Sequence, residues 1–259
     1  MSVEQEIARF PRTGRFLLGR LRHALTERER DLLESLIETE EYYADGEHVV
    51  LERGQLCDRS TMLIEGFVIR QIRSSDKRFI VGVQVPGDFV DLHAFALKRL
   101  DHDIVTVGPA RIGYVPHERL REVLENEPHL TRLLWFSTLL DAAIHREWIM
   151  AMERMPADGR LAHLCAEMWC RLQMVGLADD AGFYMPVTQS DLADMCGTTA
   201  IHMNRTLRTL REEGILDLKR GHVTAKDRQR LEEYANFTKD YLYGEGELGL
   251  IGQRQLSID

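Results

Sequence analysis

The stretch from Val187 to Gly214 constrains this chain more than any other. Thr188 and Asp191 have capping-box spacing, in which each side chain takes a backbone N–H that the first helical turn leaves free. Leu192, Ala193 and Met195 then give a short helix one apolar side, with Ala193 small where a second helix has to cross closely. Gly197 falls where the turn needs a residue tolerant of positive φ. Thr198 or Thr199 caps a second helix running to about Glu213, with Met203, Leu207 and Leu210 inward and Gly214 as its stop. Two capped helices, a glycine turn and a longer basic second helix meet the requirements for insertion into a DNA groove. The outward positions at the start of that helix are Thr199, Ala200, Ile201, His202 and Arg205, with Arg208 further along. Its N-terminal dipole faces phosphate, and Arg205 is suited to bidentate reading of guanine. Thr188, Gln189 and Thr198 complete the expected DNA-binding set at the two helix starts. Leu216–Leu218, the turn Lys219-Arg220-Gly221-His222 and Val223-Thr224 predict a wing hairpin whose tip adds Lys219 and Arg220, and Thr224 to Asp227 cap the next helix.

A formal net charge of -9 over 259 residues argues at first sight against a nucleic-acid partner. The charge is not evenly spread. Between Gly197 and Arg230, Arg205, Arg208, Arg211, Lys219, Arg220, Lys226, Arg228 and Arg230 face only Glu212, Glu213, Asp217 and Asp227, a local +4. Such a field can seat a phosphate backbone while the acidic remainder suppresses indiscriminate binding. The length allows two modest domains, and 44% apolar with 29% charged residues is a folded, soluble balance. Cys57, Cys165, Cys170 and Cys196 form no CxxC pair and no zinc spacing, so buried reduced thiols are expected. A polar N-terminus without an apolar h-region, and no run of membrane-spanning length, predict a cytoplasmic protein with no membrane partner.

Thr26 and Glu29 form a second capping box, opening a helix with Leu32, Leu33, Leu36 and Ile37 on its apolar face. From about Glu41 to His117 the pattern becomes short β-branched or aromatic runs: His48–Leu51, Thr61–Ile64, Phe67–Arg70, Phe79–Val83, Ile104–Val107 and Ile112–Val115. Frequent turn residues separate them, which suggests an antiparallel sandwich or barrel, with a short helix over Asp91–Arg99. Pro128 suits the first turn of a long helix. From there Leu133, Ser137, Leu140, Ile144, Trp148 and Ala151 recur near heptad spacing. One alternative is that this helix packs on its own β-domain, but so long a helix with so wide an apolar face more often meets a second helix, so this stripe is the expected dimer interface. The division expected is a β-roll sensor with N-terminal helix (1–120), a long dimerisation helix (121–155), a winged helix-turn-helix (156–240) and a C-terminal tail (241–259). The fold class is α+β, with a jelly-roll-like antiparallel β-roll.

In this order of elements the chain resembles the Crp/Fnr family of bacterial regulators over nearly its whole length. The strings that carry the likeness are Pro86-Gly87-Asp88-Phe89, Val187-Thr188-Gln189-Ser190-Asp191-Leu192-Ala193 and Asn204-Arg205-Thr206-Leu207. The resemblance implies a cyclic-nucleotide-binding-like β-roll and a homodimer on a pseudo-palindromic site in double-stranded DNA, with recognition helices in major grooves about 34 Å apart. It also implies contact with RNA polymerase, and it makes Arg205 a base-contacting arginine. Ala200 and Ile201 stand where cyclic-AMP receptors carry an arginine and a glutamate, so the preferred bases should differ.

The sensor departs further. Cyclic-nucleotide receptors of this family follow Gly-Asp-Phe with Gly-Glu-Leu and later an Arg-Ser or Arg-Thr pair. Here the stretch reads Val90-Asp91-Leu92-His93-Ala94, with Leu92 at the glutamate position and His102-Asp103 at the arginine-serine position. A carboxylate placed against a phosphate repels it. Cyclic AMP is therefore not the expected effector; Asp91, Leu92, His93, His102 and Asp103 would line a pocket for an unidentified small effector, or for none. The N-terminal region lacks the cysteine cluster of the iron–sulfur branch. His93, Asp101, His102 and Asp103 have ligand chemistry but read as a polar loop, and neither a metal nor another cofactor is expected. The competing reading is a β-roll enzyme or metal-binding protein with the C-terminal domain as an interaction module. No HxH pair, Gly-rich phosphate loop, GxSxG elbow or HExxH helix supports it, and no enzymatic activity is expected.

Overall fold

The computed structural model describes residues 2–74 and 77–244. The polar start is a helix, α1 (Val3–Arg9), opened by a reciprocal Ser2–Gln5 capping box. α2 (Glu27–Leu36) begins on Thr26, with Glu29 reaching back, as the spacing predicts.

The β-roll is two antiparallel sheets. One has the order β1 (Thr39–Tyr43), β7 (Ala110–Pro116), β3 (Arg59–Glu65); the other has β2 (Glu47–Leu51), β6 (Asp103–Val107), β4 (Val68–Ser74), β5 (Lys77–Gln84). Leu63, Val68, Ile104 and Ile112 meet between them. β1 escapes the sequence pattern because it is an edge strand with Glu40 and Glu41 on it and little of it buried. α3 (Ala94–Leu97) is shorter than the expected helix over 91–99, since Lys98 turns left-handed at φ 64° and ends it.

The expected helix over 121–155 is two helices, α4 (His117–Asn126) and α5 (Pro128–Arg154). Pro128 bars its predecessor from helical geometry, and Glu127 sits at φ -125°, ψ 71°. The stripe assigned to the dimer interface also needs correction, because the chain itself covers it. Leu133 packs with Phe16, Leu17 and Leu21 of the N-terminal segment. Leu140 and Ile144 pack with Cys170 and Leu242, and Ala151 is buried. Ser137 donates to Leu134 O at 2.7 Å, and Trp148 Nε1 donates to Glu167 Oε2 at 3.0 Å. The face left open is one step round the helix: Trp135 (64% exposed), Leu139 (51%) and Ile149 (69%).

The C-terminal domain comprises α6 (Ala157–Met174), β8 (Ala178–Asp179), β9 (Gly182–Tyr184), α7 (Gln189–Met195), α8 (Ala200–Glu212), β10 (Asp217–Lys219), β11 (His222–Thr224) and α9 (Arg228–Tyr234). Its sheet runs β10-β11-β9-β8. α6 is buried almost all round, with Trp169 against Phe183 and Trp169 Nε1 donating to Asp179 O at 2.9 Å. Phe67, Ile69, Ile80 and Val83 of the β-roll share one apolar cluster with Leu161, Met195 and Leu210 of this domain. The expected tail from 241 begins inside the core: Leu242 is fully buried, and Tyr241 donates to Glu167 Oε2 at 2.9 Å. Residues 245–259 of that tail lie outside the described residues.

Candidate nucleic-acid interface

The helix-turn-helix is built by local chemistry. Thr188 accepts from Asp191 N at 3.1 Å, and Asp191 Oδ2 takes Thr188 N–H at 2.7 Å, which starts α7. Gly197 turns at φ 60°, and Thr198 N–H closes the turn on Ala193 O at 2.9 Å. Thr199 then caps α8 by accepting from His202 N at 3.2 Å. Met203, Thr206, Leu207 and Leu210 are inward, so α8 presents Thr199, Ala200, Ile201, His202, Arg205 and Arg208 outward. Ile201, an apolar side chain, is 73% exposed at the tip of the helix. Gln189 Oε1 accepts from Asn204 Nδ2 at 3.0 Å, fastening the start of α7 to the middle of α8.

The cations differ in how free they are. Arg208 pairs with Glu212 at 2.7 Å, Arg211 with Asp217 at 2.6 Å and Lys219 with Asp217 at 2.7 Å. These pairs are exposed, so a phosphate competes with them at little cost. Arg205 is exposed and, among the described residues, has no ion-pair partner. At the wing, Lys219 pairs with His222 across the two-residue loop Arg220-Gly221, both at positive φ (52° and 81°). That turn favours Asn or Gly at its first position, so an arginine there keeps a cation at the tip against the backbone's preference.

The sequence offers no signal for what holds this reading head to the sensor. Arg78 on β5 pairs with Asp191 and, at 2.7 Å, with Asp194 of α7, while Glu47 takes its third contact at 2.9 Å. Burial works against the charge on Arg78, but the hydrogen bonds it donates to Asp194 and Asp191 outweigh it and raise its pKa. Asp191 and Asp194 lie more than a hundred residues from Arg78, so no local periodicity links them.

The five residues expected to line an effector pocket are dispersed. Asp91 is buried on Thr61, whose backbone N–H and hydroxyl it accepts. Leu92 packs into the cluster under the N-terminal segment, and Asp103 accepts from Arg53 N at 2.8 Å. Only His93 and His102 stay together, with ring centroids 5.8 Å apart. His102 Nδ1 lies 2.8 Å from Asp101 Oδ1, and among the described residues no three such groups converge as a metal site. Beside them Arg70 donates to Val90 O and pairs with Asp141 of α5, a contact between sheet and long helix with no sequence signature.

A β-roll joined through a long helix to a winged helix-turn-helix with its basic face open is the architecture of a DNA-binding regulator. Residues 159–234 match the Crp-like helix-turn-helix domain family. The chain is 27% identical over 205 residues to the transcriptional activator protein FnrL of Cereibacter sphaeroides, covering 76% of this chain and 81% of that protein. It is 24% identical over 196 residues to the nitrogen fixation regulation protein FixK of Bradyrhizobium diazoefficiens, covering 75% and 81%. The solved structure of FixK2 from Bradyrhizobium japonicum superposes with a TM-score of 0.69 at 21% identity, over 77% of this chain and 98% of that one. Residues 159–234 are thus a Crp-like helix-turn-helix domain, and the chain as a whole is similar to transcription regulators of the Crp/Fnr type.

Proposed function

We propose that the protein reads a pseudo-palindromic DNA site as a homodimer, with α8 of each chain in the major groove. The observation that carries this is the open N-terminal face of α8, Thr199 to His202 with the unpaired Arg205, beside the cationic wing tip. Arg205 reads a guanine edge, Thr188, Gln189, Thr198 and Thr199 position the phosphates, and Lys219 and Arg220 reach the flanking backbone. The second copy docks on the outer face of α5. Trp135, Leu139, Ala142, Arg146, Ile149 and Glu153 alternate at spacings of four and three, the seam of a two-stranded coiled coil.

The effector is not cyclic AMP: Leu92 and His102-Asp103 replace the groups that would hold its ribose and phosphate, and Arg70 is already committed to Asp141. RNA polymerase is the further partner. Selection from a randomised duplex pool tests the reading. The expected outcome is two inverted half-sites about one helical turn apart, bound by two chains per duplex. A pool that stays unenriched, or a consensus without symmetry bound by one chain, contradicts it.

A further inference from the structure

Four distant parts of the chain enclose a small cavity of about 30 Å³: residues 15–20, the Gly87-Asp88-Phe89 turn, the middle of α5 and the C-terminal end of α6. Its wall is charged, with Arg15, Arg20 and Arg171 against Asp88 and Asp141. The carboxylates are already taken. Asp141 pairs with Arg70, while Arg171 pairs with Asp88 at 2.9 Å and with Glu167 at 3.0 Å. Arg15 and Arg20 have one main-chain carbonyl each, Val175 O at 3.1 Å and Leu242 O at 2.8 Å, both through Nε. Among the described residues neither has a carboxylate at ion-pair distance.

Arg20 is 4% exposed, and the rest of its guanidinium fork makes no hydrogen bond among the described residues. Burial pulls its pKa down to about 10, Asp88 resists and Arg171 adds to the pull, so the group stays cationic at neutral pH. A buried guanidinium with no carboxylate at ion-pair distance is costly, and direct pairing with an anion relieves it.

We propose that this cavity binds a small monovalent anion, from halide to formate in size, on the free edge of Arg20 with Arg15 beside it. A space of about 30 Å³ suits a small anion. A planar carboxylate of formate size matches the two parallel N–H groups of a guanidinium. Arg20 is tied to the C-terminal segment, Arg15 to the end of α6, and Arg171 of α6 to Asp88 in the β-roll turn. The bound anion therefore fastens the DNA-binding domain to the sensor at a point well away from α8. This inference is independent of the DNA site that the protein prefers.

Thermal unfolding of the full chain at constant ionic strength tests it, exchanging sodium gluconate, too large for the cavity, for sodium formate or bromide. The expected result is a rise in midpoint that grows with the logarithm of anion concentration above Kd, about 5–10 °C at a hundredfold excess. Arg20→Gln keeps an N–H for Leu242 O and should lose this anion-specific rise while retaining native circular dichroism. An equal response to gluconate, or an anion-specific rise that survives Arg20→Gln, overturns the site. Should Arg20→Gln not fold, wild-type crystals grown in bromide decide: an anomalous peak against the Arg20 guanidinium supports the site, and water alone there overturns it.

Discussion

Arg220 shows how a single residue reveals the balance between stability and binding. A non-glycine residue at φ 52° is strained, and among the described residues the Arg220 side chain makes no hydrogen bond or ion pair. Arg220→Gly should raise stability by about 0.5–1 kcal/mol in thermal melts and reduce the salt dependence of DNA binding by about one phosphate contact. A variant that binds and melts like wild type removes the wing tip from the interface. The buried histidines set a second expectation. Burial, with Arg70 adding to it, holds His93 down to about 4, and burial also lowers His102 and His117. Unfolded histidines take protons near pH 6.5 while these stay neutral, so stability is lost as pH falls from about 6.5 toward 4. Asp91 opposes this. Burial raises it to about 6, so the folded state binds its proton before the unfolded state does and gains stability over the same fall. With three histidines against one carboxyl, the melting midpoint should drop on acidification, less in His93→Gln and more in Asp91→Asn. A flat profile in all three proteins contradicts the assignment.

At the scale of elements, α5 carries two apolar stripes, and periodicity alone does not say which one meets the protein's own core. The stripe of Leu133, Leu140, Ile144 and Ala151 is filled by the N-terminal segment and residues 241–244, neither of which announces its destination in the sequence. On the proposed homodimer, Leu139→Asp should therefore give a single chain in sedimentation while leaving its melting midpoint within a few degrees. Leu140→Ala should instead cost about 2–5 kcal/mol of folding stability. The reverse pattern would restore the inner stripe as the interface. The helix-turn-helix was legible because caps, a glycine turn and inward residues fall within one short window. The strands from β2 to β7 were legible for the same local reason. The supposed effector residues were not, because Asp91, Leu92 and His93 are neighbours in sequence but turn toward Thr61, the N-terminal cluster and His102 respectively.

Across the described residues the reading head leans on the β-roll, through one shared apolar cluster and the Arg78 ion pairs. Arg78 is the polar centre of that contact, and its removal leaves the buried Asp191 carboxylate without its cation. Arg78→Ala should cost about 2–4 kcal/mol and resolve the melt into two transitions, C-terminal domain first. A single unshifted transition would show that the apolar cluster alone couples the halves. That coupling matters only if α8 reads bases. The most direct test replaces the guanine opposite Arg205 in the selected duplex with 7-deazaguanine, which removes the N7 acceptor, and compares wild type with Arg205→Ala. Wild type should lose about 1–3 kcal/mol of affinity on the altered duplex, and Arg205→Ala, already weaker by a similar amount, should lose nothing further. Equal losses in the two proteins would mean that Arg205 does not touch that base.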